Sequence, residues 1–182
     1  MNETVAVVLI QALSILGMTM NILSYQGKQP KTVIWIQFFG SLFFAVHFFL
    51  LNAITGAMLN LIGVLRAVIY ANKEKLRYVR LLNVLFIAVY LLTYVATFTV
   101  FEKAPTLFNF VVEILPVVAM IATTISFSKT SAATIRKFAF ISSPSWLIYN
   151  CVNVSVGGIL CESFALISVI LAMIRLDRKS GE

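Results

Sequence analysis

The sequence predicts an all-α integral membrane protein, a bundle of seven transmembrane helices in a 3+1+3 parallel-repeat plan. Three observations carry that reading. The 182 residues are 60% hydrophobic and only 12% charged, whereas a soluble domain holds about 25% charged residues. The apolar residues fall into seven long runs. The basic residues gather in short clusters between those runs, on alternate connections.

A spanning helix needs about 20 mostly apolar residues. The runs are Thr4–Tyr25, Thr32–Ala53, Gly56–Ala71, Leu81–Phe101, Thr106–Ser128, Phe138–Val156 and Gly158–Leu176. The third is short, about 24 Å at the helical rise of 1.5 Å per residue. The connection before it, Asn52-Ala53-Ile54-Thr55, is minimal, and the one before the seventh contains Gly157-Gly158. Helices two and three, and six and seven, therefore read as antiparallel hairpins. The flank Met1-Asn2-Glu3-Thr4 has no basic residue. A cleavable signal needs a basic n-region, so the first run is expected to persist as the first span. The chain is one membrane domain. Residues 1–80 form a first three-helix unit, 81–101 a linker helix, and 102–182 a second three-helix unit.

Orientation follows from Lys and Arg. Lys28 and Lys31 follow helix one. Lys73, Lys75, Arg77 and Arg80 follow helix three. Lys129, Arg136 and Lys137 follow helix five, and Arg175, Arg178 and Lys179 end the chain. Twelve basic residues thus share one side, the other side has Lys103 alone, and Arg66 lies inside helix three. Basic loops stay in the cytoplasm. The expected topology in the bacterial inner membrane places the N-terminus outside and the C-terminus inside.

The net charge of +7 does not indicate nucleic-acid binding, because the basic residues mark helix ends rather than one continuous patch. The two cysteines, Cys151 and Cys161, form neither a disulfide framework nor a metal spacing. No nucleophile elbow, paired-carboxylate site or phosphate loop occurs. No enzyme activity, cofactor or metal is expected. The implied partners are the lipid bilayer and a small polar solute, and a homo-oligomer is allowed.

Shifting the sequence by 102 residues lays helices one to three on helices five to seven without a gap. Ser24 falls on Ser126, Thr32 on Thr134, Phe38 on Phe140, Ser41 on Ser143, Gly56 on Gly158 and Lys73 on Arg175. Identities number only eight over positions 4–78. The coincidence of spans, tight loops and basic clusters carries more weight. An odd linker helix lets two triplets share one orientation, the parallel-repeat plan of SWEET-type carriers.

Several segments carry a family resemblance. They are Val46-His47-Phe48-Phe49-Leu50-Leu51, Arg66, Glu113-Ile114-Leu115-Pro116, Trp146-Leu147-Ile148-Tyr149-Asn150, Ser155-Val156-Gly157-Gly158, Glu162 and Ile174-Arg175. Together they resemble the bacterial inner-membrane YgjV-type family over nearly the whole chain. That resemblance implies no established activity. The chain is also distantly similar to the SWEET and PQ-loop superfamily. It departs from the PQ-loop signature, carrying Gln29-Pro30 in a loop in place of Pro-Gln within helices one and five.

Polar groups in hydrocarbon are costly, so they turn toward a bundle interior or a wet cavity. The solute-binding or coupling candidates are Gln11, His47, Asn60, Glu113, Trp146, Tyr149, Asn150, Asn153 and Glu162, and all but the aromatic pair Trp146 and Tyr149 are read into the outer half of the bilayer. Across the repeat, Gln11 maps on Glu113, His47 on Tyr149, and Asn60 on Glu162. Trp146, Tyr149, Asn150 and Asn153 share one face of helix six at i, i+3, i+4 and i+7. Glu113 is expected to bind a proton, or to accept from a donor such as His47, and the two could couple solute movement to protons. Arg66, about two turns from the cytoplasmic end, is expected to snorkel, with pairing to Glu113 as the alternative. Pro116 and Pro144 are hinge candidates or static kinks.

Two functions fit these residues. The first is a secondary transporter or facilitator of a small polar solute, with a polar cavity between the triplets. The second is a non-transporting membrane scaffold or assembly partner. The scaffold would bury the same groups as interhelical hydrogen bonds and use Gly63, Ala67 and Ala71 for lateral packing.

Overall fold

In a computed structural model, which describes residues 3–51, 54–152 and 156–177, the chain forms seven α-helices. They are α1 (Glu3–Ser24), α2 (Pro30–Leu50), α3 (Ile54–Ala71), α4 (Val79–Thr99), α5 (Leu107–Phe127), α6 (Ala132–Val152) and α7 (Val156–Ala172). A 3-10 turn at Lys73–Lys75 follows α3, and a π turn at Met173–Asp177 extends α7. No strand occurs among the described residues.

Local sequence sets several boundaries. Pro30 opens α2, where its missing N–H would be unpaired in any case. The Thr106 hydroxyl caps α5 by accepting from the Asn109 backbone N–H at 3.1 Å. Six of the seven expected spans agree with the helices closely. The sixth begins at Ala132 rather than Phe138. Its first turns carry Arg136 and Lys137, which end an apolar run on paper but remain helical in the fold. Arg136 is buried, and its Nη1 donates to the carbonyls of Gly27 at 2.9 Å and Tyr25 at 3.3 Å.

By length and composition, Pro30–Leu50, Val79–Thr99, Leu107–Phe127 and Gly157–Leu176 could each cross a membrane. The apolar stretches Ile10–Ser24 and Thr55–Ala71 are shorter. Helix α6 is less apolar because its inner face is polar: Ser142, Ser143, Ser145 and Asn150 are all buried.

The helices close into a ring. Helix α1 packs on α2, α2 on α3, α3 on α5, α5 on α6, α6 on α7, and α7 back on α1. The middle helices α2 and α6 also meet across the ring. Helix α4 lies outside it, against α3 and α5, and buries only Tyr90 and Thr97. The exposed side chains of the ring include Val46, Phe49, Leu65, Phe108, Ile148 and Leu171, whereas Ser24, Gln37, Thr124, Ser142 and Ser168 are buried. Apolar outside and polar inside is the pattern that a lipid solvent selects.

Basic residues tie the helix ends together. The Lys73 ammonium donates to the Phe127 carbonyl at the end of α5, at 3.0 Å. Burial there holds its pKa below the usual lysine value. Arg175 Nη2 donates to Gln26 Oε1, just beyond α1, at 2.6 Å. Cations at helix C-termini meet orphan carbonyls and a favourable dipole. The small residues of α3 are used internally. Ala67 and Ala71 belong to a core with Val33, Ile34, Tyr70 and Phe127, and a Cβ on Gly63 would stand 3.4 Å from Met120.

Arg136→Met keeps much of the side-chain length and removes the donors. Each charged hydrogen bond is worth about 1.5–3 kcal/mol. The purified variant should therefore melt several degrees lower, while Lys137→Met, at an exposed neighbour, should melt as wild type. Equal melting temperatures would show that the Arg136 anchor contributes nothing.

A polar cavity inside the helix ring

The ring encloses a cavity of about 80 Å³. All six ring helices contribute to its wall. Helix α1 supplies Asn21, with Tyr25 just beyond its end, and α2 supplies Gln37, Ser41, Phe44 and Phe48. Helix α3 supplies Asn60 and Arg66, and α5 supplies Met120 and Thr123. Helix α6 supplies Ser142, Ser143, Trp146 and Asn150, and α7 supplies Gly158, Glu162 and Ala165.

Part of the wall is hydrogen-bonded within the protein. The Ser143 hydroxyl bonds both Tyr25 and Glu162. Gln37 Nε2 donates to Ser24 Oγ at 3.0 Å. Asn60 Nδ2 donates to the Gly56 carbonyl at 2.9 Å. Two wall residues keep an unmatched buried atom: Arg66 Nε and Asn150 Oδ1 have no partner. Such atoms are rare in folded proteins.

Arg66 does not snorkel. It is only 3% exposed. Its Nη1 is held by the Met120 carbonyl at 3.3 Å and by the hydroxyls of Tyr90 and Thr124, each at 3.4 Å. The guanidinium also stacks 4.8 Å from the Phe127 ring centroid. Depth along α3 suggested a path to water, but the side chain turns inward between α4 and α5, where hydroxyls and a carbonyl await it.

Four of the nine candidates from the sequence line the cavity: Asn60, Trp146, Asn150 and Glu162. Tyr149 is buried beside Trp146, the rings edge to face at 5.8 Å, on the flank of the lining face. His47 is buried on α2, where its Nδ1 donates to the Ile10 carbonyl at 2.9 Å. Gln11 is exposed on α1. Asn153 and the basic residues Arg178 and Lys179 lie outside the described residues. Glu113 is buried but pairs with Lys103, so it meets neither His47 nor Arg66. Lys103, the lone basic residue expected outside, reaches down from the α4–α5 connection to that carboxylate. Pro116 is buried in α5 and Pro144 sits between Ser143 and Ser145 on α6.

Sequence reasoning missed Asn21, Tyr25, Gln37, Ser41, Thr123, Ser142, Ser143 and Arg66 as wall residues. The 102-residue shift held the signal. Five pairs separated by that shift line the one cavity: Asn21 with Thr123, Ser41 with Ser143, Phe44 with Trp146, Phe48 with Asn150, and Asn60 with Glu162. A sixth pair supports the wall from behind. A Cβ on Gly56 would stand 3.1 Å from the Phe48 ring, and a Cβ on Gly158 would stand 2.4 Å from the Asn150 amide. Each glycine seats the equivalent lining residue of its own hairpin.

No curated protein and no solved structure matches the chain. The expected family resemblance does hold: with residues 8–180 matching its profile, the chain belongs to the Imp-YgjV family of bacterial inner membrane proteins.

Proposed function

We propose that this inner-membrane protein is a secondary carrier or facilitator of a small polar solute. In this reading all seven helices cross the bilayer, with the N-terminus outside and the C-terminus in the cytoplasm. The triplets α1–α3 and α5–α7 are SWEET-like parallel repeats, and α4 is the crossing that gives them one orientation. They rock about the cavity, with the proline-bearing helices α5 and α6 supplying the hinges.

The observation that carries the reading is the pairing of wall residues 102 apart around one polar cavity. Carriers place their solute at such a repeat interface. The ring adjacency supports it, since α1–α2 recurs as α5–α6, α2–α3 as α6–α7, and α3–α5 as α7–α1. A scaffold has no use for a polar void, and the small residues that would serve its lateral packing are spent inside α3's own interfaces.

Orientation has a direct test in cells, on a background without Cys151 and Cys161. A cysteine at Lys103 should react with an impermeant thiol reagent added outside, and one at Lys75 should not. The reverse pattern would overturn the topology. Function has a second test. Purified protein in liposomes should pass at least one small solute from a panel of amino acids, polyols, short acids and amines. Ser41→Leu fills the cavity and should cut that flux at least tenfold with little change in melting temperature. No protein-dependent flux for any solute, together with a higher melting temperature for Ser41→Leu, would favour the scaffold.

A further inference from the structure

The cavity wall carries a guanidinium and a carboxyl group that are not paired with each other. Among the described residues the one ion pair is Lys103–Glu113. Arg66 and Glu162 both line the wall. Arg66 is anchored on Tyr90, Met120 and Thr124 through Nη1, and Glu162 is bonded to Ser143. Neither set of partners carries a compensating charge. Arg66 is a buried charge without a counter-charge, which is strongly unfavourable, and the Glu162 carboxyl gains an ion-pair partner only when a cation enters the pocket.

We propose that the occupant is a small zwitterion carrying a carboxylate and an ammonium group, of the kind of a short α-amino acid. This rests on the carrier reading and specifies its substrate class. All the protein hydrogen bonds to the guanidinium use Nη1, and Nε has none. The Nε–Nη2 edge of a guanidinium is the one that receives a carboxylate with two parallel bonds. The opposite end of such a solute needs acceptors. Glu162 and the unmatched Oδ1 of Asn150 accept from an ammonium.

Counter-charges set the zwitterion apart from the other classes. A simple anion would satisfy Arg66 and leave Glu162 without a cation. A simple cation would meet the converse. A neutral polyol would supply neither counter-charge. A cavity of about 80 Å³ is several times the roughly 10–15 Å³ that one water requires, which gives room for a small solute such as alanine. Phe44, Phe48 and Trp146 supply apolar walls for a short side chain.

The test is binding to the purified full-length protein in detergent, measured by titration calorimetry with L-alanine, propionate, isopropylamine and 1,2-propanediol. Alanine should bind at least tenfold more tightly than each of the other three, which lack one or both charged groups. Arg66→Lys keeps the charge but loses the fork, and should weaken alanine at least tenfold. Glu162→Gln keeps the shape and should weaken alanine at least tenfold while leaving propionate within twofold. That split decides the matter even where Arg66→Lys fails to fold. Propanediol binding as tightly as alanine, or alanine affinity unmoved in Glu162→Gln, overturns the proposal. Propanediol flux in liposomes would then leave the carrier reading standing. Alanine binding with both variant effects, but no flux of any solute, would keep the ligand class and remove the carrier.

Discussion

Hydrocarbon offers no hydrogen bonds, and the arrangement of this chain follows from that constraint. Every polar side chain in a span must find a partner inside the bundle or face a space that water or solute can enter. The buried serines illustrate the first solution. Ser24, Ser126 and Ser145 each donate to a carbonyl of their own helix, while Ser168 reaches the Ile22 carbonyl on α1 at 2.8 Å. The second solution needs a closed ring, because an open bundle would expose the same groups to lipid. Helix α7 returning to α1 closes the ring, through Ser168 and through Gln26, whose Nε2 donates to Ser168. The basic residues at the helix ends complete the scheme. Arg136, Lys73 and Arg175 neutralise acceptors where the ladders stop.

The α4–α5 connection shows how the same constraint separates polar groups committed to structure from those that face the cavity. Glu113 is as buried as any residue of the cavity wall, yet its partner Lys103 belongs to the α4–α5 connection. This pair holds the connection onto the ring and spends the carboxylate's charge locally. His47 is likewise committed, since its Nδ1 proton goes to the Ile10 carbonyl and its ring lies against Phe44 and Phe48. Glu162 differs in having a hydroxyl, and no cation, as its partner.

Much of the fold was legible because spanning helices announce themselves by length and apolarity, which need no knowledge of neighbours. The start of α6 was not, because Arg136 reads as a terminator unless the carbonyls of Tyr25 and Gly27 are known to be waiting for it. The cavity was half legible for a related reason. Position in a run gives depth, and depth alone put Glu113 and His47 with Asn60 and Glu162. Which way a side chain faces around the helix axis depends on where the neighbouring helices pack, and seven hydrophobic helices carry weak amphipathic signals. Tyr149 shows how fine that distinction is. It stands on the flank of the face that presents Trp146 and Asn150. Arg66 was misread for the same reason: its distance from the helix end favoured water, and only the packing of α4 and α5 reveals Tyr90 and Thr124 beside it.

The wall positions 102 residues apart line one cavity and mostly differ in chemistry. Ser41 and Ser143 are the same residue, whereas Phe48 is matched by Asn150, Phe44 by Trp146, Asn21 by Thr123 and Asn60 by Glu162. A wall with identical halves would present the same group on both sides and would suit a symmetric occupant. Here one side of the pairing holds the carboxylate and the unmatched amide oxygen, while the guanidinium comes from α3, at a position whose equivalent, Ser168, is occupied in holding α7 to α1. In the zwitterion reading these differences lay an electrical axis across the cavity. The proposed occupant, with two different ends, would fit that axis in one orientation, and its two groups would supply the counter-charges that the surrounding hydrocarbon cannot.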